Sequence, residues 1–330
     1  MMTQWVCYIE REMLGELVVI RGGAIEPNEL ASRSCEALDA PLAADAVLTI
    51  ARVASPACVL GAFQRAAQIA RDEGVREPLV RRGSGGPEVL VGPGTVWMLL
   101  SLAHPAALVA CDQGRIVNRY VRPLVRAMIK IGATAQWGGR DWIGVRTRPA
   151  AWIGFAHDAT SRRTTVEAFV AVRSPFACGT RGSFRGKTPG TLEEIMDRSF
   201  ELERIEEGIA EAYWGIASES APAPALAPAP ALAPAPALAP DGPWLATVEE
   251  AIGVIGAGRD ARGVLRVGGD LLVSRDALAT LEAQIASAPR GDIARIVHAT
   301  LGAPGVALEG VRTLASVVDV VERALADPLA

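Results

Sequence analysis

The chain has 330 residues, half of them hydrophobic, with a formal net charge of −4. That length exceeds one average domain and suffices for two folded units with sizeable cores. The charge gives no reason to expect a nucleic-acid partner.

In chain order, "AVLTIARVA" (46–54) and "ACVLGAF" (57–63) read as strands. "GTVWMLLSLA" (94–103) is apolar and short, which fits a buried strand better than a helix. "CDQGRIVNRYVRPLVRAMIKIGA" (111–133) places Ile116, Val117, Tyr120, Val121, Leu124, Val125 and Met128 at helical spacing; Pro123 is expected to end or kink that helix. "RPAAWIGFA" (148–156) and "TTVEAFVAV" (164–172) are further strands, and residues 188–216 a closing helical section. Ser218 to Pro243 contains APAPAL three times in succession. Its prolines block a helix and withhold ladder donors, so a polyproline-II-like linker is predicted, reaching roughly 60 Å over about twenty residues. Beyond it, "GVLRVGGDLLVS" (263–274) reads as a strand or hairpin and "RDALATLEAQIAS" (275–287) as an amphipathic helix entered through half a capping box at Ser274. Residues 291–303 and 310–325 are helical by period. The expected class is α+β: a mixed or antiparallel sheet with packed helices over 1–217, a linker over 218–243, and a small α+β domain over 244–330.

All but two of the 33 basic residues are arginine, so chemistry that needs a lysine must use Lys130 or Lys187. The five cysteines (Cys7, Cys35, Cys58, Cys111, Cys178) form no CxxC pair or Cys/His cluster, so neither a disulfide framework nor a metal site is expected. Glu10, Arg11, Glu12 and Glu16 interrupt any signal-peptide core, and no apolar stretch reaches the ~20 residues that cross a bilayer. A cytoplasmic protein without a membrane partner is the expectation.

"RRGSGGPEVL" (81–90) poses the chemical question. It leads into a strand rather than a helix and lacks GK[ST], so it is neither a dinucleotide fingerprint nor a P-loop. Gly83, Gly85 and Gly86 permit close backbone approach to a ligand, and the adjacent arginines suit phosphate or carboxylate. A plain structural turn is the competing reading.

"VLGAFQRA" (59–66) followed by "LVRRGSGGPEVL" resembles the lipoate–protein ligase A family through Gly61, Gln64, Arg81, Arg82, Ser84, Gly85 and Gly86. "GGRDWIGV" resembles the family's N-D-[L/V] segment through Asp141, and "AAWIGFAH" its K-I-x-G-x-A segment through Gly154 and Ala156. "LRVGGDLLVSRDALATLEAQI" resembles the family's accessory domain through Gly269, Asp270, Leu278, Leu281 and Glu282. The resemblance implies a biotin/lipoate ligase-like fold. It also implies activation of lipoate or octanoate by ATP with Mg2+ to an acyl-adenylate, then transfer to a lysine on a lipoyl carrier domain of a 2-oxoacid dehydrogenase or glycine-cleavage protein. The glycine loop would wall the acyl chain and adenylate, and a family lysine would hold the mixed-anhydride oxygens.

The sequence departs from that pattern where the chemistry is concentrated. The lysine position falls on Ala151, with Pro149 or Arg148 in shifted registers. Pro87 and Glu88 replace the loop's third glycine and following alanine, and the family's histidine–aspartate pair falls on Val91 and Gly92. Arg146, Arg148 or Lys187 are candidate substitute cations, although a guanidinium differs in shape from an ammonium. "PFACGTRGSFRGKTPGTLEEI" resembles the octanoyltransferases, which would make Cys178 a thioester-forming nucleophile. His157 falls near the presumed pocket, with simple solvation as its competing reading. Trp97, Trp137, Trp142 and Trp152 are core or pocket wall; His104 and His298 receive no role. Three readings stay open: a divergent acyl–protein ligase, a non-catalytic relative serving as a binding or scaffold module, and a Cys178-dependent acyltransferase.

Overall fold

The computed structural model describes residues 15–73, 76–139, 141–173, 187–217 and 242–326. Cys178 and the Ala/Pro-rich segment lie outside the described residues. The order is β1 (Leu17–Ile25), α1 (Pro27–Glu36), β2 (Ala46–Val53), β3 (Ala57–Leu60), α2 (Ala66–Glu73), β4 (Leu79–Arg81), β5 (Val89–Val91), β6 (Thr95–Leu102) and α3 (Ile116–Lys130). Then come β7 (Ala135–Trp137), β8 (Trp142–Val145), β9 (Arg148–His157), β10 (Thr164–Ala171), α4 (Leu192–Met196) and α5 (Leu202–Ala217). After residue 242 follow β11 (Ala246–Glu249), β12 (Val254–Arg259), β13 (Leu265–Gly269), β14 (Leu272–Val273), α6 (Arg275–Ile285), α7 (Ile293–Leu301), β15 (Leu308–Glu309) and α8 (Ala315–Ala326).

The fold is α+β. A seven-stranded mixed sheet runs β1-β2-β6-β10-β9-β8-β7, with β1 parallel to β2 and the other neighbours antiparallel. Every residue of β6 and β10 is buried, as expected for central strands covered on both faces. Helices α3 and α5 pack on one face through Ile116, Tyr120, Leu124, Ile209 and Tyr213. On the other face lie α1 and a small sheet, β4-β3-β5, which buries Leu30, Val59 and Val89 against Trp97, Trp152 and Phe169. Residues 246–326 have a core of their own, where the β11-β12-β13 sheet and α6, α7 and α8 bury Ile255, Val267, Leu281, Val297 and Val321.

Three local expectations need correction. Pro123 does not end α3, which runs unbroken from Ile116 to Lys130. A helix-interior proline costs about 3 kcal/mol; burying Ile116, Val121, Leu124 and Met128 returns roughly 1.5–3 kcal/mol each and outweighs it. Residues 263–274 do hold strands, β13 and β14, but the hairpin alternative fails, since β13 pairs with β12 and β14 with β15. Ser274 precedes α6 without a side-chain cap, because its Oγ instead accepts from Ala307 N at 2.8 Å.

Leu124 is 1% exposed at the centre of the α3–sheet interface. Leu124→Ala is expected to lower unfolding free energy by about 2–5 kcal/mol, read as a lower urea midpoint at unchanged slope.

Candidate functional site around the glycine loop

The loop at 82–88 joins β4 to β5 and lies across β9. It is shaped from within by charge. Arg82 is 1% exposed and donates from Nη1 to Val59 O at 3.1 Å, from Nη2 to Gly85 O at 3.0 Å and Pro87 O at 2.8 Å, and from Nε to Ser84 Oγ at 2.9 Å. Its guanidinium also faces Glu167, with Nε 3.8 Å from Oε2. Glu167, fully buried in β10, accepts from Ser34 Oγ at 2.8 Å, from Trp97 Nε1 at 2.6 Å and from Ser84 Oγ. Burial pushes the Glu167 carboxyl above the ordinary carboxylate range, opposed by Arg82 and by these three donors. Half-buried Arg81 donates to the carbonyls of Gly61, Ala62 and Gln64.

Glycine is required here by close approach. A Cβ on Gly154 would collide with Ser84 Oγ, and one on Gly61 with the Gly86 carbonyl. The residues that carried the sequence resemblance therefore meet: Arg82, Ser84, Gly85 and Gly86 on the loop, Gly154 beneath it, and Gln64 beside it. The loop's N–H groups have protein acceptors: Gly83 N donates to Ser34 Oγ at 3.0 Å, Gly85 N to Phe155 O at 2.8 Å, and Gly86 N to Leu271 O at 2.9 Å.

That last acceptor comes from the C-terminal unit, which sits directly on the loop. A Cβ on Gly85 would collide with the Leu271 carbonyl. Gln64 Nε2 donates to Asp270 Oδ1 at 2.6 Å and to Glu88 Oε2, while Gln64 Oε1 accepts from Gly61 N at 2.9 Å. Glu88, a departure from the family pattern, is thus joined through Gln64 to the C-terminal unit. Arg65 clasps the same unit around Trp244. It stacks 4.1 Å from the Trp244 ring centroid and donates to the carbonyls of Gly242 (2.7 Å), Pro243 (2.9 Å), Arg259 (3.0 Å) and Gly258 (2.9 Å). Arg275 makes a two-pronged bond to Asp39 at 2.7 and 3.0 Å, which holds the Asp39 carboxyl below its usual range. Asp276 accepts from Ala159 N and Thr160 N, each at 3.0 Å.

The remaining candidates fall elsewhere. His157 is the buried last residue of β9, bridged to Ser274, with Nδ1 2.9 Å from Thr164 Oγ1. Asp141 is buried just before β8, and its carbonyl accepts from Ile153 N at 2.6 Å. Arg148 starts β9, six residues and about 20 Å from Gly154 at ~3.3 Å per residue. It faces α4, donating to Thr188 O, Pro189 O and Glu194 Oε1 at 3.1, 2.8 and 2.8 Å. Arg146 donates to Ile195 O at 3.1 Å. Exposed Lys187 places Nζ 5.4 Å from the Trp142 ring centroid. Ala151, at the family's lysine position, is buried in the core shared with α3, whereas Trp152 packs on the loop face. Cys35 lies beside the loop with its thiol pushed up to about 11 by burial, so it is a protonated donor to Arg81 O at 3.5 Å.

Sequence reasoning missed Glu167, Arg65 and Ser34. Glu167 had one signal, a single acid inside the apolar run "TTVEAFVAV".

No family model matches the sequence, and no curated protein matches it. The chain is similar to solved structures of lipoate and biotin protein ligases. Lipoate-protein ligase A bound with ATP is 13% identical over 62% of this chain and 85% of that chain, with TM-score 0.47. A bi-partite lipoate protein ligase from Thermoplasma acidophilum, described with its E2 lipoyl domain, is 12% identical over 62% of this chain and 84% of that chain, with TM-score 0.47. Biotin protein ligase from Aquifex aeolicus is 8% identical over 62% and 71%, with TM-score 0.35.

Two outcomes follow from this geometry. Gly85→Ala should push Leu271 off the loop without unfolding the seven-stranded sheet, read as faster hydrogen exchange at Gly86 N–H and unchanged exchange in β6 and β10. Burial also holds His157 below the ordinary imidazole range of 6.5, with Asp276 and Asp158 pulling weakly the other way. The folded state then binds fewer protons than the unfolded one as pH falls through 6.5, so stability is full above that value and declines below it. His157→Gln should flatten that part of the pH–Tm curve.

Proposed function

We propose that this protein is a lipoate–protein ligase-like member of the protein lipoylation class that keeps the fold as a binding module and has lost ATP-dependent acyl transfer. The observation that carries the reading is Ala151: the position of the family's lysine holds a methyl group facing an apolar core. The covered loop supports it further. Where an acyl-adenylate would need open N–H groups, Gly86 N donates to Leu271 O and the space over Gly85 holds that carbonyl. The residues present in this arrangement do not fit the adenylate, so no step is derived through it. Loss of even one oxyanion-type donor typically costs ~10²–10³ in rate.

A second reading has one observation in its favour. Lys187 stands over Trp142, which packs with the loop-side cluster, so an ammonium lies on that face of the sheet. An active ligase would then need the C-terminal unit to lift and Lys187 to swing inward.

Incubation of the full chain with ATP, Mg2+, octanoate and a lipoyl carrier domain separates these readings. The binding module releases no pyrophosphate above background and adds no mass to the carrier, yet shows calorimetric heat with the carrier domain. Turnover abolished by Lys187→Ala supports the second reading and overturns the first. An octanoyl mass on Cys178 from an acyl-carrier thioester, without ATP, would support the acyltransferase instead.

A further inference from the structure

The outer face of α3 carries Arg115, Arg119, Arg122, Arg126 and Lys130. The two ends are neutralised, Arg115 by Asp112 at 3.6 Å and Lys130 by Glu211 at 2.5 Å. Arg119, Arg122 and Arg126 make no ion pair or hydrogen bond among the described residues. Arg52, Arg173, Arg266, Arg275 and Arg312, by contrast, all have carboxylate partners. Spacings of three and four residues line the unpaired guanidiniums along one face for about 10 Å. Like charges so placed repel one another.

An apolar strip runs beside them. A shallow groove of about 530 Å³ is lined by Asn118, Arg122, Val125, Arg126, Trp137 and the Gly138–Gly139 pair. A Cβ at either glycine would meet nothing within 4 Å, so the backbone is open to approach. One turn further along α3, Ile129 is 53% exposed, an unusual placement for a large aliphatic side chain in this fold. Arginine and tryptophan beside an exposed aliphatic group is the composition of protein-interface hot spots. The groove is too open to desolvate a small molecule. It also lies on the sheet face opposite the glycine loop, so whatever binds there presents nothing to that loop.

We propose that this face docks an acidic protein segment. Its carboxylates pair with Arg119, Arg122 and Arg126, and an apolar side chain seats on Val125, Trp137 and Ile129. The proposal holds whether or not acyl transfer survives.

The test is fluorescence anisotropy of the full chain with a labelled amphipathic peptide of glutamate and leucine. Parallel arms use its glutamine analogue, a single-stranded oligonucleotide and phosphatidylserine vesicles. The glutamate peptide should bind at least about tenfold tighter than the glutamine analogue and weaken steeply with salt. The triple variant R119E/R122E/R126E should weaken it by at least about thirtyfold, and Ile129→Gln by several-fold. Both variants should melt like the parent, since these side chains lie at the surface. Absence of binding, equal binding of the two peptides, indifference to charge reversal, or binding of the oligonucleotide or vesicles alone would each overturn the proposal.

Discussion

Glu167 stands at the centre of the sheet with its carboxyl held from α1, from β6 and from the glycine loop, and with the Arg82 guanidinium close by. Removing an acid and an arginine together from water is costly unless their hydrogen-bonding capacity is met. Here it is met from several elements at once, which leaves little freedom in how the loop can lie. Arg82 then fixes the carbonyls of Gly85 and Pro87, and Ser84 rests on Gly154. The loop resembles an anion cradle in sequence, but its arginine serves as an internal strut. Removing either charge alone would leave its partner buried and poorly compensated, so the two residues constrain each other.

The same logic explains how the C-terminal unit is attached. Its contacts are mostly main chain to main chain or side chain to main chain, such as Gly86 to Leu271 and Phe63 to Gly269. Close approach requires glycine at 85, where a Cβ would meet the Leu271 carbonyl, and left-handed backbone favours it at 86 (φ 101°) and 269 (φ 111°).

Legibility from sequence followed burial and period. The strongly apolar runs that became β6, β9 and β10, and the amphipathic α6, were readable because one packing environment dominates each. Of the short strands only β3, inside the apolar run "ACVLGAF", was readable among those of the large sheet and the loop sheet: β4, β5, β7 and β8 are three or four residues long, too short for alternation to show. β1 was missed because "LVVIRGGAI" contains a paired glycine at its register shift. At the site, motif order located Ser84, Gly85, Gly86 and Gly154 together, since local sequence carries close backbone approach as glycine. What it could not carry was partnership. Glu88 stood out as a departure, and its contact with Gln64, itself bonded to Asp270, gives it a purpose, across a separation of 206 residues between the latter two.

The Arg65 clasp on Gly242, Pro243 and Trp244 has a consequence for how the two units are held. One guanidinium meets four main-chain carbonyls and an indole ring there, so the seating of the C-terminal unit is written into folded surfaces and rests on main-chain shape more than on the identity of the side chains around it.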